Sequence, residues 1–342
     1  MGELFNSLLV QNQHVLAVAP FMGQIAGAST GIFLASNKVP FIGWSTNAAF
    51  EAEPKWGLGI NGNQGNPDVQ GLAGMTQILT ATGNTSTPGR VKMAFIGENA
   101  PGVIAANKAL AGAAKYSNIK VVLQTAPIPL TGTITYAPYA QSLISSGANV
   151  VYEVAGAADA VGLAAALKSA GYKGLIVNGT TYFPGGLASQ PSEAAALNGV
   201  YLENEFPADE NQSAATNQEM KDLVSTGQKP YLTSGVSVGY WSAIILEEML
   251  KATLKAVGND PTKVTGVTLQ KTVQGGFSYT DPLAGGIGDE YFPAANTIPT
   301  GCGTLLKTTG TTYKQVVPFQ CVGAVNVLVN KAVNQKTGKV IP

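Results

Sequence analysis

Charge is scarce in this 342-residue chain: Asp, Glu, Lys and Arg make up 12% of it, and 20 basic residues balance 20 acidic ones. Without a basic face nothing can neutralise a run of phosphates, which argues against a nucleic-acid partner. Low charge combined with 45% hydrophobic residues argues equally against disorder. No uninterrupted apolar run reaches the ~18 residues that a membrane-spanning helix needs. Histidine occurs once, as His14, just before an apolar run, and reads as a solvated loop residue rather than a general base or ligand. With that single histidine and two cysteines, no ordinary zinc site can be assembled, and no metal is expected. Gly-x-Ser-x-Gly and Walker patterns are absent. Gly57-Leu58-Gly59 and Gly301-Cys302-Gly303 lack the third glycine and the strand-to-helix setting of a dinucleotide loop, and read as turns. Asp281, Asp289 and Glu290 fall in a Gly/Pro-rich stretch and read as solvated loop carboxylates rather than calcium ligands. No nucleophile stands with a base, so the expectation is a protein that is not an enzyme and uses no cofactor.

What the chain has instead is regular alternation. Val91–Gly97, Ile119–Leu123, Val150–Val154 and Gly174–Val177 are short apolar runs that read as strands. Between them, Gly102–Tyr116, Tyr136–Ser146 and Ala157–Ala170 carry the spacing of helices. Continuous apolar strands alternating with helices predict a parallel sheet covered on both faces. The start follows the same rule, with a helix at Glu3–Gln11, a strand at Val15–Ala19, a helix at Gly27–Ser36 and a strand at Val39–Ile42. A long amphipathic helix is expected at Tyr240–Ala256, and another from Asp260-Pro261 into Val267–Val273.

Cys302 and Cys321 lie 19 positions apart and flank two β-type runs, Thr304–Lys307 and Tyr313–Val317, joined by a turn centred on Gly310. A hairpin here brings the two cysteines opposite one another at its open end. A disulfide closing it would contribute roughly 3 kcal/mol and requires an oxidising compartment. Two buried, unpaired thiols are the alternative.

The order of these segments resembles the type I periplasmic-binding fold, in particular the branched-chain amino-acid and amide binding proteins of ABC importers. Leu16-Ala17-Val18-Ala19-Pro20 followed by Met22–Thr30 is similar to that family's strand and small-residue loop opening a helix. Val39–Asn47 is similar to its next strand and loop, Val91–Asn99 to the first strand of its second lobe, and Val150–Gly179 to a later strand–helix–strand unit. The resemblance implies an α/β chain of two doubly wound parallel-sheet lobes joined by strand crossovers. Residues 1–60 and 206–276 would form the first lobe, and 61–205 and 277–342 the second, with the 302–321 hairpin in the latter. It also implies a first lobe lacking the family's opening βαβ unit, which a partner chain or a swapped segment would complete.

As a function, the resemblance implies an extracytoplasmic binder, either periplasmic or secreted or lipid-anchored at the cell surface, that traps a small polar or carboxylate-bearing molecule between two lobes and delivers it to an ABC permease. A ligand-sensing receptor ectodomain is the alternative with the same fold. Ligands of such folds sit at the carboxyl ends of strands, where helix N-terminal amides are available. The expected ligand-binding residues are Gln24, Ile25 and Ala26 in the first loop, Trp44, Ser45 and Thr46 in the second, and Asn99, Thr181 and Tyr182 on the other lobe. Phe183 and the hydroxyls of Thr233 and Ser234 are weaker additions. Amino-acid binders of the family often carry a carboxylate near the position of Thr181. Its absence here turns the expected ligand from an α-amino acid toward an amide or a small carboxylate.

Overall fold

The computed structural model describes residues 13–22, 27–44, 48–60, 72–84, 87, 89–116, 119–130, 135–179, 182–283, 285–288, 290–292, 302–321, 332–333 and 340–341. The expected helix at residues 3–11 lies outside them. In chain order the principal elements are α1 (Ala28–Ser36), β1 (Phe41–Trp44), α2 (Ala48–Ala52), β2 (Gly57–Ile60), α3 (Leu72–Thr82), β3 (Val91–Glu98), α4 (Pro101–Tyr116) and β4 (Ile119–Ile128). There follow α5 (Ala137–Ser145), β5 (Val150–Val154), α6 (Ala157–Ser169), β6 (Leu175–Asn178), α7 (Pro184–Ser189), α8 (Pro191–Leu197) and β7 (Tyr201–Asn204). The chain continues with α9 (Ala214–Ser225), α10 (Ser234–Ala256), α11 (Gly266–Gln274), β8 (Ser278–Tyr279), β9 (Glu290–Tyr291), β10 (Cys302–Thr309) and β11 (Thr312–Cys321).

The larger sheet has seven strands in the order β11-β10-β7-β6-β5-β3-β4. β4, β3, β5, β6 and β7 run parallel, and β10 turns the sheet antiparallel by pairing Lys307 with Tyr201 and Thr304 with Asn204. The parallel strands are apolar on both faces because helices cover both. Met93, Phe95, Val150, Tyr152 and Val177 pack with Met75 and Ile78 of α3 and Val103, Leu110 and Ala114 of α4. On the opposite face Ala94, Ile96, Val151 and Ile176 pack with Leu143 of α5, Leu163 and Leu167 of α6, and Leu187, Ala194 and Leu197 of α7 and α8. Full burial of each such leucine stabilises the fold by about 1.5–3 kcal/mol. The mixed α/β architecture with a parallel-dominated sheet is the one expected from the alternation.

A smaller parallel sheet joins β1 to β2, from Phe41 beside Gly57 to Trp44 beside Ile60. The expected strand at residues 15–19 is reduced to a single bridge between Val18 and Phe41, with Val18 N–H donating to Pro40 O at 2.9 Å. Ile42, Trp44, Leu58 and Ile60 share a core with Phe206, Val238, Trp241, Ile245, Met249, Leu269 and Val273, so a late stretch of chain returns to cover this sheet. Tyr279, Ile287 and Phe292 belong to the same core.

Four readings from the sequence are corrected. Gly57 is a buried strand residue rather than a turn, because a side chain there would meet the rings of Phe41 and Phe50 at 2.7–2.8 Å. Gly303 likewise lies within β10 and not in a turn. Glu290 is fully buried in β9 instead of solvated, since β9 pairs with β8 under α10 and α11. The long helix begins at Ser234, six residues earlier than Tyr240, because the Thr233 side chain accepts from Val236 N–H and starts it there. Replacing Gly57 by valine should overpack the Phe41–Phe50 contact and cost about 1–3 kcal/mol. Urea unfolding measures this, and an unchanged midpoint would show that the two rings can move apart freely.

Candidate functional site

In a parallel sheet every strand delivers its carboxyl end to the same edge, and the helix that follows starts there with unsatisfied N–H groups. Trp44 closes β1 of the smaller sheet, while Glu98, Val154, Asn178 and Asn204 close β3, β5, β6 and β7 of the larger one. One hydrogen bond ties these two sets together: Trp44 Nε1 donates to Glu205 Oε2 at 2.7 Å, directly after β7. The Trp44 ring, 9% exposed, stands edge-on to Phe206 with centroids 6.0 Å apart. Trp44 therefore both packs and bridges.

The larger sheet carries acidic groups at this edge. Glu98 Oε1 accepts from Gly156 N–H at 2.6 Å, capping the start of α6. Asp159 lies in the first turn of that helix, where its charge is favoured by the helix dipole, and accepts from Tyr136 Oη at 2.6 Å. Burial holds the Glu98 carboxyl above its ordinary range; the Gly156 N–H opposes this, while Asp159, hydrogen-bonded to it, adds to the rise. Tyr136 is pushed up to about 12, first by burial and then by Asp159. Behind them Glu153 is 0% exposed, and its Oε1 accepts from Asn178 Nδ2 at 3.1 Å. Burial lifts Glu153 to about 8, offset in part by Asn178 and reinforced by the charge of Asp159. On the other face of the sheet, Tyr152 Oη donates to Glu203 Oε2 at 3.1 Å, and burial followed by the charge of Glu205 lifts Glu203 to about 8.

Of the residues expected to bind ligand, Gln24, Ile25, Ala26, Ser45, Thr46 and Thr181 lie outside the described residues. Trp44 and Asn99 both stand at the strand-end edge. The Asn99 side chain is exposed, and its N–H anchors the end of β4 by donating to Ile128 O at 2.6 Å. Tyr182 stands elsewhere: 3% exposed, it donates to Glu210 Oε2 at 2.8 Å, accepts from Asp209 N–H at 2.9 Å and packs on Tyr313. Its ring belongs to the core shared with Leu187, Leu232 and Tyr313. Thr233 and Ser234 are also engaged structurally, the first in capping α10 and the second in donating to Asn204 Oδ1 at 2.9 Å. His14 is exposed, as read from the sequence. Glu153 and Asp159 were not singled out from the sequence. A glutamate within the apolar run Val150-Val151-Tyr152-Glu153-Val154 was the available signal.

Cys302 and Cys321 face one another as paired residues at the open end of the β10–β11 hairpin. Among the described residues no group of three His, Cys, Asp or Glu side chains could hold a metal ion, and no helix is long and apolar enough to cross a membrane.

Glu153 and Glu203 keep their protons in the folded chain at pH values where the unfolded chain has lost them. Folding therefore takes up protons between about pH 4.5 and 8. Stability should fall as pH rises through this window, by up to about 1.4 kcal/mol per pH unit for each group. The double variant Glu153→Gln, Glu203→Gln should flatten the profile of urea midpoint against pH, and an unaltered profile would show that neither carboxyl is shifted.

Comparison with known proteins follows this geometry. The solved structures that resemble it include a fatty acid ABC transporter substrate-binding protein from Thermomonospora curvata, 19% identical, covering 88% of this chain and 74% of that one, with a TM-score of 0.67. A solute-binding protein of an ABC transporter from R. palustris, in complex with 4-hydroxybenzoate, is 15% identical over 92% of this chain and 81% of its own, with a TM-score of 0.65. A leucine binding protein from Thermotoga maritima is 11% identical over 93% and 84%, with a TM-score of 0.64. No curated protein matches the chain by sequence. The family model described as "Periplasmic binding protein" matches residues 7–311, and the chain belongs to that family, in its type I, branched-chain amino-acid group.

Proposed function

We propose that the chain is an extracytoplasmic solute-binding protein that holds a small polar molecule between two lobes and presents it to the permease of an ABC importer, without chemical turnover. The observation that carries this reading is the Trp44–Glu205 hydrogen bond, which brings the strand ends of two separate parallel sheets to one place. The residues around β1 and β2, with 206–276 and the segment reaching Phe292 that shares their core, would form one lobe. Residues 61–205 with the 302–321 hairpin would form the other. The crossing after β7, where Glu205 meets Trp44, is where such lobes would hinge.

Ligand capture by this arrangement predicts closure. A thermal-shift and native mass-spectrometry screen against amino acids, amides, urea and small aromatic and aliphatic carboxylates should give a hit that also lowers the radius of gyration in small-angle scattering. A hit that is consumed chemically, or one that binds with no change in dimensions, would count against the reading.

The same reading places the chain in an oxidising compartment, and we propose that Cys302 and Cys321 form a disulfide there. Their opposition in the hairpin register supports it. Reduction, or the variant Cys302→Ser with Cys321→Ser, should cost about 3 kcal/mol. Intact mass under non-reducing conditions checks the bond: two free thiols after air-equilibrated purification would exclude it.

A further inference from the structure

Helix capping accounts for only part of the acidic group at the start of α6. Glu98 accepts the Gly156 N–H, and Asp159 occupies the first turn. Glu153 caps nothing. It is fully buried, its Oε1 is held by Asn178, and its Oε2 has no hydrogen-bond partner. Removing a carboxyl group from water without a partner for each oxygen costs about 1–3 kcal/mol, more if it is ionised. An arrangement of this kind persists where something else returns that energy.

The cations among the described residues do not. The ion pairs among the described residues join Lys251 to Glu247 and Glu248, and Lys263 to Asp260, all on exposed helical surface. What surrounds Glu98, Asp159 and Glu153 is other carboxyl groups and neutral donors: Tyr136 from the segment before α5, Gly156 N–H from α6 and Asn178 from β6. Tyr139 on α5 is the further titratable group near Tyr136. The geometry is also held firmly. The Tyr136 ring fills the space that a side chain on Gly162 of α6 would need, which fixes its hydroxyl on Asp159.

We infer that this group is the part of the binding site that receives a positively charged amine of the solute, with Glu98 and Asp159 touching it and the unpartnered Glu153 carboxyl beside them. The inference rests on the solute-binding reading and sharpens its ligand class. A compact metal ion is not the occupant this geometry suits, because no three ligating side chains among the described residues gather around one point. An ammonium group needs less: two or three acceptors on one side and a hydroxyl nearby. The sequence expectation looked for an ammonium-binding carboxylate near Thr181. The structure finds carboxylates instead on β5, the strand beside β6, on β3 beyond it, and on the helix that follows β5.

When the amine binds, protons held by Glu153 and Glu98 are released to the buffer, because a cation favours their ionised form. Binding should therefore tighten as pH rises from 5 toward 8.

The test uses the full chain and a matched set of probes at millimolar concentration: pentylamine, 5-aminopentanoate, pentanamide and pentanoate, alongside the amino acids, amides, urea and carboxylates of the wider screen. The expected result is stabilisation by amine-bearing compounds, with proton release shown by calorimetry in buffers of different ionisation enthalpy. Affinity for the best amine should drop about tenfold or more in Glu98→Gln and in Asp159→Asn, with circular dichroism and urea midpoint confirming that each variant folds. A hit confined to carboxylates or neutral amides, or an amine hit indifferent to both substitutions, overturns the inference while leaving solute binding intact. Silence across every class overturns the solute-binding reading and the inference with it.

Discussion

Parallel strands cannot be joined by tight turns, and this constraint organises the molecule. Each of β3, β5 and β6 must cross back over a face of the sheet before its successor starts, and a helix covers that path. As a result all the parallel strands end on one edge, where the next helices begin. Burial on both faces makes the strand interiors apolar, so polar chemistry is pushed to the ends. Glu98, Asn99, Asn178, Asn204 and Glu205 stand there because that edge is where the backbone stops being covered.

The same constraint explains the unusual electrostatics of the edge. Helix starts present N–H groups that favour acidic partners, and Glu98 with Asp159 takes up that role at α6. Glu153 lies one position inside the end of β5, where burial outweighs the help from Asn178 and keeps its proton affinity high. A neutral donor satisfies only part of the Glu153 carboxyl, whose Oε2 has no hydrogen-bond partner. A rigid protein would be more stable with apolar residues at such places. Retention of acidic ones is more readily understood if the edge meets a solute.

The resemblance to solved binding proteins, at 11–19% identity, conveys the fold and not the ligand. Those proteins are described with a fatty acid, 4-hydroxybenzoate and leucine, which differ in charge and polarity although their chain paths agree. In this chain the strand ends carry the Trp44 ring against Phe206 and its N–H on Glu205.

Much of the fold was legible before any coordinates. Val150–Val154 is apolar enough to be a fully covered strand, and its bounds agree with the structure residue for residue. Gly57–Ile60 was missed because two glycines in four residues resemble a turn; only the rings of Phe41 and Phe50 against it show why a strand there must lack side chains. Tyr182 looked like a pocket wall because it follows a strand, yet its ring packs inward onto Tyr313. The sequence by itself determined the alternation of strands and helices, and hence a parallel sheet and its family, because periodicity of apolar residues is a local property. Tertiary structure alone decided that Glu98 on β3, Glu153 on β5 and Asp159 on α6 converge. Glu98 is separated in the chain from the other two by whole crossovers, and only the pairing of β3 with β5 brings it to their edge.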